Sequence, residues 1–80
     1  MSTQFLNTLR VGESGVVAHV AGERAMCRRL FDLGLAPGTT VTCTAVSPAG
    51  DPAAYLIRGA VIALRGRDAA GVRLAEEVWA

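Results

Sequence analysis

The side chains able to do chemistry are few and scattered. The single histidine, His19, has no serine or cysteine near it in a nucleophile pattern. Glu76 and Glu77 are adjacent, so on a strand they point to opposite faces and form no acid–base dyad. No glycine-rich phosphate loop precedes a helix. These absences predict a protein that is not an enzyme, with no catalytic residue. A transition-metal site needs imidazole, thiolate or carboxylate ligands that converge. The candidates are His19, Glu23, Cys27, Cys43, Asp51, Asp68, Glu76 and Glu77, and no pair of them has a chelating spacing. The expectation is therefore no dedicated metal ligand and no cofactor, with room only for weak transition-metal binding. Both cysteines read as reduced, small, buried side chains, and His19 as a surface strand residue.

Arginine is the stronger signal. All eight basic residues are arginine, whose planar fork suits carboxylates at interfaces. Arg24, Arg28 and Arg29 fall within six residues, and Arg58, Arg65 and Arg67 sit at turns. They read either as a solvated surface or as a docking face for an acidic or polar patch. The segment Pro48-Ala49-Gly50-Asp51-Pro52 has two readings as well. It is a rigid connector, with Asp51 capping its own turn, or a stiff prong that loses little entropy on binding. Trp79 reads as a lid over one end of the core, or as an exposed anchor.

The elements that position these residues follow from pattern. At 100° per residue, Met26, Leu30 and Leu33 share a stripe widened by Cys27 and Phe31, which predicts an amphipathic helix over 23–33. Gly34 stands where a left-handed stop is wanted, and Pro37-Gly38 forbids a restart. Elsewhere the chain reads as short strands. They cover 16–20, 39–47, 54–57, 60–64 and 72–75, with Arg58-Gly59 as a two-residue hairpin turn and one helical turn at 67–70. Phe5, Leu6 and Leu9 anchor the amino-terminal segment. Five strands with tight turns predict a mainly β fold, a small barrel whose closure removes exposed edges.

Eighty residues make one domain, 1–80. With 51% hydrophobic residues but four aromatic side chains, the core must come from Val, Leu, Ile and Ala. A net charge of +1 gives no global field for nucleic acid or anionic lipid, so a nucleic-acid partner is not expected. The amino terminus lacks a signal-peptide pattern, and no apolar run reaches the ~20 residues a membrane helix needs. A cytoplasmic protein without direct membrane insertion is expected.

Several blocks together resemble one known family. They are Leu6-x-x-Leu9-x-x-Gly12-x-x-Gly15-x-Val17, then Arg29-Leu30-x-Asp32-Leu33-Gly34-Leu35-x-Pro37-Gly38-Thr39-x-Val41, then Pro48-x-Gly50-Asp51-Pro52, Arg58-Gly59 and Ala63-Leu64-Arg65. In order and spacing the chain is similar to the FeoA family of the bacterial ferrous iron uptake system. It departs from that pattern at Ala60, Gly66 and Asp68. The resemblance implies an SH3-like barrel with one inserted helix. It also implies an accessory role with the ferrous iron permease FeoB, and so recruitment to the inner face of the cytoplasmic membrane. The surface expected to meet FeoB's cytosolic parts comprises Arg24, Arg28, Arg29, Pro48, Asp51, Pro52, Arg58 and Arg65, over a frame set by Gly34, Pro37, Gly38 and Gly59. The same module closes metal-dependent repressors of the diphtheria-toxin-repressor type, which leaves a metal-responsive interaction domain as the alternative.

Overall fold

Alternating apolar and polar residues produce strands, and here they assemble into a single antiparallel sheet. The computed structural model describes residues 4–80. Its strands are β1 (Gln4–Phe5), β2 (Ser14–Val20), β3 (Thr40–Val46), β4 (Ala53–Ile57), β5 (Ala60–Leu64) and β6 (Val72–Trp79), in the order β1-β6-β2-β3-β4-β5. Helix α1 (Arg24–Asp32) follows β2, and the short α2 (Gly66–Ala69) links β5 to β6. The cross-strand sets Val41–Ile57 and Cys43–Tyr55 put one face of the sheet inward. Val17, Leu64, Val72 and Leu74 join them, and Leu6, Leu9, Leu30, Leu35 and Ala69 close the core. Val, Leu and Ile supply most of this core. Tyr55, 2% exposed, is its aromatic member.

The mainly β, SH3-like architecture with a helix after the first long strand is as expected, but the sheet is not a closed five-stranded barrel. It has six strands, and β1 and β5 lie at its two ends. Register shifts curl it in β2, on either side of Val17, and in β3, between Cys43 and Ala45. The curl stops short of pairing β1 with β5. The last strand runs to Trp79 rather than stopping at Ala75, because β2 offers it partners: Val78 lies opposite Gly15 and Trp79 opposite Ser14. A side chain at position 15 would meet Leu74 Cδ1 at 3.0 Å, so Gly15 is what lets β6 lie close. Trp79 is consequently 47% exposed in a strand and does not cap the core.

Helix α1 meets the sheet through a narrower stripe than its periodicity suggests. Leu30 is buried and Met26, Cys27 and Leu33 are half-buried, whereas Phe31 is 50% exposed. Burying Leu30 contributes roughly 2 kcal/mol. Phe31 lies at the stripe's margin, beyond the sheet's reach. No helix among the described residues is long and apolar enough to cross a membrane.

Candidate functional site

The site is built outward from the end of α1. Leu35 N–H donates to Leu30 O and Gly34 N–H to Phe31 O, both at 2.9 Å, while Gly34 has φ 103°. This is the paired-bond glycine stop, and it satisfies carbonyls the helix would otherwise leave open. Gly34 also faces the β4–β5 turn: a Cβ there would lie 3.1 Å from both Ile57 Cγ2 and Arg58 Cδ. Two residues on, Thr39 N–H donates to Ala36 O at 3.0 Å, with Pro37 and Gly38 (φ 92°) at the turn's centre. That is a type II turn, which needs a positive φ at its third residue. Gly38 N–H reaches Val17 O at 2.8 Å. The exit of α1 is thus fastened to β2 on one side and to the β4–β5 hairpin on the other.

A groove of about 430 Å³ lies between α1 and the end of β5. Met26 and Arg29 come from α1, Ala63 and Leu64 from β5, Arg65 from the N-cap of α2, Arg67 from α2 itself, and Pro52 from the 48–52 loop. Asp68 is the one carboxylate among its walls, against three guanidiniums. Leu64 is buried and Met26 half-buried, while the three arginines are exposed. Such a site suits an anionic group carried on an apolar or extended stem.

Of the residues expected at a partner surface, Arg29, Pro52 and Arg65 meet here. Arg24 and Arg28 are exposed on α1 and are not among the groove's walls. Arg58 belongs to a second depression of about 440 Å³, shared with Pro37, Gly38, Thr39 and Thr40. It takes a left-handed φ of 50° beside Gly59 at 83°, so both residues of the hairpin turn are left-handed, not the glycine alone. Pro48 is exposed on its loop. Asp51 does not cap its own turn. Its Oδ1 accepts from Gly66 N–H at 2.7 Å, tying the loop to the start of α2. Gly66, a departure from the family pattern, is not required for this bond: a Cβ there would sit 3.6 Å from Asp51 Oδ1, an ordinary contact. Met26, Ala63 and Asp68 were not marked as partner residues by the sequence. The nearest signal was the Arg65-x-Arg67 spacing next to the Ala63-Leu64 strand end.

The metal candidates lie apart. His19 is exposed on β2 opposite Arg73, whose charge disfavours a bound cation. Cys27 Sγ points at Gly22 O (3.6 Å) and Val20 O (3.8 Å). Cys43 is buried, and burial pushes its thiol pKa up, against both nucleophilic and metal-ligand use. Among the described residues no three His, Cys, Asp or Glu side chains group together. Tyr55 is pushed up to about 12, by burial first and then by Cys43 and Asp51.

A curled antiparallel sheet with a helix inserted after its first long strand defines an SH3-like fold. Residues 5–76 match the model of the FeoA domain, and the chain belongs to the FeoA family. A curated relative from Porphyromonas gingivalis is a fusion of Fe(2+) transport protein A with the Fe(2+) transporter FeoB. It is 30% identical over 69 residues, which are 86% of this chain and 8% of the length of that relative. The FeoA protein of Chlorobium tepidum is 33% identical, with a TM-score of 0.81 over 95% of this chain and 69% of that one. Stenotrophomonas maltophilia FeoA, solved in complex with zinc and described as a prokaryotic SH3 domain protein, is 30% identical. Its TM-score is 0.78 over 94% of this chain and 91% of its own. A manganese-dependent transcriptional repressor shares the fold alone, at 19% identity and a TM-score of 0.83 over 94% of this chain and 37% of that one.

Proposed function

We propose that this chain is a cytoplasmic accessory protein of bacterial ferrous iron uptake. It binds the cytosolic parts of a FeoB permease through the groove between α1 and β5, is recruited by that contact to the inner face of the membrane, and catalyses nothing itself. The observation that supports this reading is the fusion in the Porphyromonas gingivalis relative, where a segment like this chain shares a polypeptide with the transporter. Linkage of that kind holds two modules at millimolar effective concentration. The surface this chain offers for such a contact is the groove, where Arg29, Arg65 and Arg67 make a cationic site with room for a side chain or strand. Pro52 stiffens its rim and Asp51 holds that rim in place.

The test is calorimetric titration of the chain with the purified cytosolic region of the permease. The double reversal Arg29→Glu/Arg65→Glu is expected to weaken binding by at least about tenfold, since each buried-edge charge pair contributes on the order of 1 kcal/mol. Reversal of Arg24 and Arg28 should do less. Equal loss from both pairs would shift the docking face onto the helix; no binding by the unaltered chain would reject the reading.

The metal-responsive alternative draws on the zinc complex of the Stenotrophomonas maltophilia relative and on the repressor's fold. It requires that Fe²⁺ or Mn²⁺ raise the melting temperature under anaerobic conditions, as any ligand of the folded state must. An unchanged melting temperature at millimolar metal counts against it.

A further inference from the structure

β5 ends the sheet, so among the described residues one of its edges has no strand beside it. The ladder decides which backbone groups this leaves open. Across a two-residue turn the flanking residues Ile57 and Ala60 form a hydrogen-bonded pair, and the alternation makes Tyr55–Ile62 and Ala53–Leu64 the next such pairs. Val61 and Ala63, lying between them, direct their N–H and C=O groups away from the sheet. Both are exposed, Val61 to 64%. Edge strands are normally blunted by a charge, a proline or a bulge. Ala60-Val61-Ile62-Ala63-Leu64 has neither charge nor proline, and its pairing with β4 runs without a register shift.

This unprotected edge adjoins the cationic groove: Ala63 and Leu64 form one wall, Met26 and Arg29 of α1 the other. We propose that the groove takes an extended acidic segment of the partner protein, which adds to β5 as a further strand and sets its carboxylates against Arg29, Arg65 and Arg67. Main-chain bonds to Val61 and Ala63 supply affinity, and the guanidiniums select charge. Charge also decides against a second copy of this chain. Two β5 strands paired antiparallel about Ile62 would bring Arg65 of each to the Arg58-Gly59 turn of the other, arginine against arginine at both ends. The inference rests on the partner-binding reading above and names the chemistry of the segment bound.

The experiment follows backbone amides by NMR while the full chain is titrated with a short peptide alternating glutamate and valine. A second titration uses the same peptide with lysine for glutamate. The expected result is shift changes and slowed hydrogen exchange at Val61 and Ala63 with the acidic peptide, and none with the basic one. Ala63→Pro removes an outward N–H without touching the β4 ladder. It should weaken the acidic peptide by about tenfold, the equivalent of one backbone bond left unmade. N-methylating the peptide's central residues deletes the same contacts with the protein intact, so the outcome does not depend on that variant folding. Shifts confined to other strands, equal binding of the lysine peptide, indifference to N-methylation, or a concentration-dependent dimer joined through β5 would each overturn the proposal. Titrating wild type and Ala63→Pro with the permease's cytosolic region separates the two readings. Equal binding by both proteins removes the edge-strand inference and leaves the accessory role. No binding by wild type removes the accessory role, and the peptide result alone then judges the groove.

Discussion

Gly34 answers two demands at one position: a left-handed stop for α1 and a close seat for the β4–β5 turn. The first is readable in the sequence, because a helix-ending glycine followed by Leu35 and Pro37-Gly38 is a local pattern. The second is not, since Ile57 and Arg58 lie more than twenty positions away. Gly34→Ala must take φ 103° and push against Ile57 Cγ2 at 3.1 Å. It should cost about 2 kcal/mol in urea denaturation. Gly50→Ala, at φ 90° with open space around it, should cost about half as much; equal costs would mean the contact with the hairpin contributes nothing. Tyr55 carries a second prediction. An unfolded tyrosine releases its proton near 10, whereas Tyr55 holds it to about 12, through burial first, then Cys43 and Asp51. A pKa raised on folding stabilises the fold fully below the unfolded value and is lost as pH climbs through the folded one. Stability should therefore fall between about pH 10 and 12, by on the order of 2 kcal/mol. Tyr55→Phe should flatten that part of the profile, apart from the smaller slope that Cys43 gives in the same direction.

The short helix α2 shows how a distant side chain completes an element too small to stand alone. Four residues cannot sustain a helix by themselves, and Asp51, fifteen positions upstream, supplies an acceptor for Gly66 N–H. The turn at 67–70 was visible in the sequence; its clamp was not, because a turn aspartate ordinarily bonds its own backbone. Asp51→Ala should destabilise the protein by about 1 kcal/mol and loosen the 48–52 loop, read as faster amide exchange at Gly66. Asp51→Asn keeps an acceptor and should retain most of the stability. Either variant should lower the pH at which Tyr55 titrates, because the Asp51 charge is one of its three causes. An unmoved tyrosine would mean that charge does not reach it.

At the scale of the molecule, turn chemistry was enough to place most strand boundaries within two residues, and the blocks around Gly34 and Arg58-Gly59 were enough for the family. Whether the sheet closes was not legible. Closure depends on where the bulges beside Val17 and Cys43 turn the strands, and no residue type marks them. The groove was only partly legible for a similar reason. Helical spacing grouped Arg24, Arg28 and Arg29, yet of these only Arg29 lines the groove, together with Arg65 and Arg67 from more than thirty positions away. Because these guanidiniums sit at a solvent-open rim, partner binding through them should weaken as salt rises and the screening length falls below about 10 Å. The Arg29→Glu/Arg65→Glu variant should lose that salt dependence along with its affinity.

The strand order also governs how the fold comes into being. β6, the last strand along the described chain, lies between β1 and β2, the first two. Until residues 72–79 arrive, β1 has no neighbour to pair with and β2 is flanked on one side only. A nascent chain carrying everything up to α2 can therefore pair β2 through β5 as a meander, with α1 attached, but lacks the strand that joins β1 to it. The place between β1 and β2 is thus filled by residues 72–79, and joining the sheet's earliest strands must await them, whereas the groove beside β5 is built wholly from residues that precede them.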